Sequence, residues 1–476
     1  MSRWLSSLLA FALVGFLNVP CWAQPTRVFR AGAATTNITP PLGELIVGGW
    51  APLPADEVHD ELHARALVLD DGETKLALVI VDSVGVSREV FEAAYTQVEQ
   101  TTGIPRHCQL FAATHTHSAS SSRSENAMVT SATLASYQAF LATRIADAVR
   151  IAHKRLAPAR IGWGSVEEPS ELFNRRWYVV EESERRNPFG GIDQVRMNPG
   201  SNSTLIRPAG PIDPEVSFIS VQTADGSPLC VLANYSLHYV GGVPARVISA
   251  DYFAVFANKI AELLKVQDQS PSFVGILSNG TSGDVNNINF SQRGPAYKSF
   301  EKMRIVGEKV AGRVYAALSS VEYHDWVELR GARSELELAV RRPDEKLLAY
   351  MQAVEAKPEG EKPYQAHEKT YAKRVQQLAQ SPEKVMVPLQ VLRIGELGIA
   401  AIPFEVFTET GLELKAACPL SDCFTIELAG GSFGYLPTPA QHAVGGYETW
   451  MGTSKVEVTA SDKIRDRLLK LFAEVK

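Results

Sequence analysis

Cysteine is scarce in this chain, with five in 476 residues, and no two stand in a CxxC pair. Structural zinc sites are often built on such pairs, so one of that type is excluded. Positive charge is not in excess either: 47 Lys and Arg face 53 Asp and Glu, a formal net charge of -6, and there is no basic tail. Without a cationic footprint no nucleic-acid partner is expected, although peripheral contact with a membrane stays open. Beyond the N-terminal segment no apolar run approaches the roughly 20 residues that span a bilayer. Paired aspartates able to bridge two metals are also missing, which argues against a two-metal phosphoesterase.

The N-terminus itself is apolar. MSRWLSSLLAFALVGFLNVPCWAQ has a basic start at Arg3, an apolar run from Trp4 to about Val19 and a small residue, Ala23, before Gln24. This reads as a signal peptide over residues 1–23, which predicts a secreted or periplasmic mature chain. Cys21 would leave with it. Cys418 and Cys423 are close enough to bridge across a turn, which export permits, and Cys108 and Cys230 read as buried strand residues.

The stretch richest in chemistry is FAATHTHS, Phe111 to Ser118, where an apolar run ends in His115 and His117. On an extended strand residues two apart share a face, so both imidazoles would leave the sheet edge together. Neutral imidazole is the commonest ligand for zinc, and a catalytic zinc takes about three protein ligands plus a water. One histidine can hold metal while the other moves protons; ordinary hydrogen-bonded histidines are the plainer alternative. Two further apolar runs end in potential ligands, His238 in LCVLANYSLHYVGG and Glu405 in AAIPFEVFTETG. His59 and His63 have no partner at a telling spacing and read as structural. Asp82, at the end of LALVIVD, suits either ligand support or capping.

The remaining pattern predicts an α/β protein with mixed β-sheets flanked by helices. Strands are expected near 29–41, 59–71, 76–81 and 159–169, with the 76–81 strand central and covered on both sides. Helices are expected at 88–100 and 132–152, the latter with Tyr137, Phe140, Leu141, Ile145, Ala148 and Val149 on one stripe. Residues 185–211, rich in Gly, Pro, Asn and Ser, read as a long surface loop of the kind that serves as a lid or binding element. A hairpin turns at Asp225-Gly226, a helix capped by Ser249 or Asp251 follows, and a charged helical segment occupies about 342–382. Because the ligand-bearing blocks lie far apart in sequence, residues 24–476 are expected to form a single domain.

Taken in order, and with LSNGTSGDVNN (Leu277 to Asn287) and GYLPTPAQHAVGGYET (Gly434 to Thr449), these blocks resemble the neutral/alkaline non-lysosomal ceramidase family over roughly Phe29 to Gly452. The resemblance implies one Zn2+ per chain, held by His115, His238, Glu405 and Tyr435. It assigns His117 to protonating the leaving amine, and Arg175, with Arg176 as the alternative, and Tyr447 to stabilising the oxyanion. Tyr435 and Tyr447 stand twelve residues apart, as in the family. The implied reaction is hydrolysis of an N-acyl amide, in ceramide or a related N-acyl lipid, by zinc-activated water. Hydrolysis of other amides or esters, or metal binding without turnover, are the alternatives.

The chain departs from the family pattern around the pocket. Ser118-Ala119-Ser120-Ser121-Ser122 replaces a glycine-rich Ser-Gly-Pro-Gly-Gly, and no proline follows Asp284. Only 29 residues follow Tyr447, so no C-terminal immunoglobulin-like domain is expected.

Overall fold

The computed structural model describes residues 27–120, 122–123, 126–129, 131, 133–292 and 294–476. The signal peptide expected at 1–23 and Ser121 of the serine-rich loop lie outside the described residues. Two main sheets organise the chain. The larger runs in the order Val274–Asn279, Pro228–Tyr235, Glu215–Thr223, Ala157–Glu167, Arg30–Asn37, His63–Asp70, Lys75–Val81 and Gln109–Ala113. Its strands are antiparallel except at the two ends, where 228–235 pairs in parallel with 274–279 and 75–81 with 109–113. The smaller sheet joins Leu329–Ala339, Lys384–Ile394, Leu397–Ile402 and Asp422–Glu427, the last two again parallel.

Residues of both sheets, among them Leu78, Phe111, Ile276, Ile399 and Phe424, belong to one buried apolar cluster, so the sheets share a core. Helices flank them: Arg88–Thr102 packs on Ser136–Lys154, Asp251–Leu264 on Glu301–Ala317, and Ala460–Val475 on the smaller sheet. This is the mixed α/β architecture expected from the pattern. Among the described residues no helix is long and apolar enough to cross a membrane.

Local agreement has physical limits. The strand 75–81 is buried and interior, one place from the edge. In helix 136–154, Leu141, Ile145, Ala148 and Val149 are buried as the stripe requires, whereas Phe140 is 43% exposed because it sits at the stripe's margin. The segment 185–211 is not all loop: Val195–Met197 and Leu205–Pro208 pair with Arg176–Val179 in a three-stranded sheet. The helix at 251–264 begins at Asp251, and the Ser249 hydroxyl accepts from the Asp251 backbone. Cys418 and Cys423 are free thiols sharing a hydrogen bond, and Cys108 and Cys230 are buried.

The three parallel pairs of the two main sheets matter most for position. In each, two strands end on the same side, and the chain past those ends carries His115 and His117, His238 and the 280–284 turn, or Glu405. Sites beyond the carboxyl ends of parallel strands are a general outcome of this geometry.

Candidate metal centre

His115 and His117 do not meet by strand alternation. The strand ends at Ala113, and His115 adopts a left-handed backbone conformation, φ 73°. Backbone bonds from Thr114 to Val81 and from His115 to Ser83 make the turn. The two histidines do lie together, but a turn and not strand alternation is the reason.

The result is a cluster of three imidazoles. His115 Nε2 lies 3.0 Å from His238 Nε2 and 3.1 Å from His117 Nε2. The other ring nitrogen of His115 is 2.6 Å from the Val84 carbonyl, and that of His238 is 3.2 Å from the Ser282 carbonyl. A carbonyl only accepts, so each of these Nδ1 atoms carries the proton and each Nε2 presents a lone pair to the centre. His117 is held by a bond to the Gly48 backbone and by stacking on Tyr239, ring centroids 3.7 Å apart. Burial lowers the pKa of all three, those of His117 and His238 well below the ordinary imidazole value, so the rings are neutral.

Glu405 completes the arrangement. It is 4% exposed, and its Oε2, 3.5 Å from His115 Nε2 and 4.0 Å from His238 Nε2, has no hydrogen-bond partner. A buried carboxylate oxygen without a donor, facing imidazole lone pairs at contact distance, is repulsive unless a cation lies between them. These donors therefore fit a divalent metal such as zinc, whose ligands are imidazole nitrogen and carboxylate oxygen.

Tyr435 reaches the same point. It stands directly opposite Glu405 in a short parallel bridge, and the Glu405 charge bears on its hydroxyl. Gly283 allows the close approach of the neighbouring turn, since a Cβ there would lie 2.7 Å from the Glu405 carbonyl. Arg175 donates to the Tyr435 hydroxyl at 3.0 Å and to the Gly283 carbonyl at 2.9 Å. Arg176 turns away to Glu448, Gln441 and Gly445, so of the two arginines only Arg175 touches the cluster. Tyr447 packs edge-on to Tyr435, centroids 5.8 Å apart, and borders the outer cavity with Trp50.

Several supports lie outside the motifs that the sequence singles out. Glu427 accepts from the Ser282 hydroxyl at 2.6 Å and from the Val406 amide at 2.7 Å, tying the His238 partner to the Glu405 segment. Its carboxyl is raised well above the carboxylate range by burial. Glu448 is shared by Arg175 and Arg176 at 2.8 and 2.7 Å. A glutamate inside the apolar FTIELAGG strand was the available signal for Glu427. Asp284 binds Thr408 and Asn174, and Asp82 binds Arg65, so both are structural braces and neither enters the cluster. His63 approaches Glu61 and His59 stacks on Phe300, as expected of structural histidines.

Residues 29–302 match the family model for the N-terminal domain of neutral/alkaline non-lysosomal ceramidase. Among solved structures, neutral ceramidase from Pseudomonas aeruginosa superposes with a TM-score of 0.71 at 18% identity, covering 95% of this chain and 75% of that chain. A ceramidase complexed with C2 gives 0.70 at 17% identity, covering 94% and 75%. At such identity these two establish a shared fold, and both superpositions extend well past the family-matched segment.

Proposed function

The chain belongs to the neutral/alkaline non-lysosomal ceramidase family, and from that premise we propose that it is an exported zinc-dependent hydrolase of the amide bond in an N-acyl lipid, the class that includes ceramide. The observation that carries this reading is the buried Glu405 oxygen facing His115 and His238 within a cluster of three neutral imidazoles. His115, His238, Glu405 and Tyr435 would hold the metal. A zinc ion bound there supplies Lewis acidity and lowers the pKa of a water toward about 7.

The remaining steps fall to the protein. His117, through Nε2, takes the proton released by the attacking water and passes it to the leaving amine nitrogen. Tyr447 and Arg175 donate to the carbonyl oxygen as negative charge develops on it. Glu427, through Ser282, keeps the His238 ring turned so that its Nε2 stays free. A second reading gives His117 a ligand role, because its Nε2 is as close to His115 as that of His238; the metal content of His117→Ala separates the two.

Metal analysis of gently purified protein should find about one zinc per chain, since the donors form a single cluster. His115→Ala and His238→Ala should each lose that zinc with the fold intact by circular dichroism; full zinc retention in both would remove the ligand assignment. Tyr447→Phe should keep zinc and lower turnover, because only its hydroxyl is deleted. Unchanged turnover would exclude that hydroxyl from the reaction. The substrate class is tested with ceramides of several acyl lengths, single-chain N-acyl amino acids and simple esters, with His117→Ala as the blank. Cleavage confined to esters would contradict amide hydrolysis.

A further inference from the structure

Three cations around the histidine cluster have no ion-pair partner among the described residues. The Lys455 stem runs beside Gly434, the residue before Tyr435: a Cβ on that glycine would lie 3.8 Å from both Lys455 Cδ and Cε. Lys455 is half-buried and makes no ion pair among the described residues. Desolvation, with repulsion from Arg123 and Arg374, pushes its ammonium down to about 8 against the partial compensation of Glu405. Arg374 lies 5.8 Å from the ring centroid of Trp50 and 5.0 Å from that of Tyr371. Trp50 in turn stands edge-on to Tyr447. The Arg123 stem packs at Gly85, next to the residue that binds His115, and its charge bears on both His115 and His117. Neither arginine is ion-paired among the described residues.

The contrast with the inner arginines is informative. Arg175 and Arg176 are neutralised in part by Glu448, whereas Glu405, the carboxylate that acts on Lys455 among the described residues, faces the metal position. Like charges crowded together without a partner are costly, the more so where one is desolvated, and an anionic ligand is the direct remedy. The outer cavity repeats the bias: Arg196 has a buried Nε without a partner, while the Asp193 carboxylate there is taken up by the Gly446 amide and the Trp450 indole. Its volume is about 180 Å³, below the roughly 300–1,000 Å³ of pockets that enclose drug-sized ligands. A two-chain neutral lipid would satisfy none of these charges.

We propose that the substrate carries a carboxylate on its amine side, as in an N-acyl amino acid, and that Lys455, Arg374 and Arg123 receive it beside the histidine cluster; this rests on the hydrolase reading and narrows its substrate. In an N-acyl amino acid the carboxylate is attached to the carbon next to the amide nitrogen, so cations flanking the reaction centre are where it needs them. The reaction is hydrolysis: water adds its oxygen to the acyl carbon, the C–N bond breaks, and the amino acid leaves with the proton on nitrogen.

The test uses the zinc-loaded wild-type protein and two compounds of equal acyl length, an N-acyl glycine and the neutral N-acyl ethanolamine. Initial rates give the ratio of kcat/KM values, and calorimetry with non-cleavable ketone isosteres of both compounds gives binding without turnover. The acidic compound is expected to be favoured about tenfold in each measurement, the worth of one charge-assisted contact. Lys455→Met and Arg374→Gln should each lower that ratio toward one, and Lys455→Arg should restore it. Equal or weaker binding of the acidic isostere, or a preference untouched in both neutralised variants, overturns the anion site. Cleavage of neither amide with the binding preference intact would instead defeat the hydrolase reading and leave the anion site standing.

Discussion

His117→Ala is expected to lower N-acyl amide hydrolysis by about 10²- to 10⁴-fold, the usual contribution of a general acid-base group, while the protein keeps its zinc. The geometry supports the separation. His115 and His238 are fixed by backbone carbonyls at 2.6 and 3.2 Å and lie 3.5 and 4.0 Å from the orphaned Glu405 oxygen. His117 lies on the outer side, half-buried and stacked on Tyr239. It can therefore exchange protons with substrate without surrendering a position that the other donors supply. Steady-state kinetics with zinc content measured on the same samples checks this. Loss of zinc to the level of His115→Ala would make His117 a ligand, and undiminished turnover with zinc retained would remove it from the reaction.

Glu448→Ala should be the most destabilising single change near the site. Its carboxylate is fully buried and bridges two buried guanidiniums. Burial alone would raise its pKa, yet Arg175 and Arg176 hold it below the ordinary value. Removing it leaves two buried positive charges facing each other, a defect that costs about 3–5 kcal/mol when one member of a buried pair is deleted. It also frees Arg175 from the geometry that brings it to Tyr435. Urea unfolding should show the midpoint falling with the slope unchanged. A midpoint within error of wild type would mean that solvent or another acid compensates the arginines.

How much of this was readable in the chain depends on the kind of residue. His238 and Glu405 follow apolar strands, and a side chain placed past a buried strand end is legible because the apolar run is local. Tyr435 and Tyr447 were legible only through family resemblance, since a buried tyrosine looks like any core aromatic in sequence. Extended alternation does not describe His115 and His117: the strand stops at Ala113 and a left-handed turn aims the rings. No local pattern encodes that turn, because the carbonyls of Val81 and Ser83 that fix it come from a neighbouring strand end. Glu448 and Lys455 were missed for a similar reason. Their roles depend on Arg175, Arg176, Arg123 and Arg374, which approach from distant segments.

The central claim is that this cluster hydrolyses an N-acyl amide with a bound metal. The most direct measurement follows fatty acid and free amine released from an N-acyl substrate by one preparation as purified, after chelation, and after return of zinc. The account predicts acid and amine in equal amounts from the first, loss of both on chelation, and recovery with about one zinc per chain. Hydrolysis at full rate after chelation, with metal analysis showing the zinc gone, would contradict it.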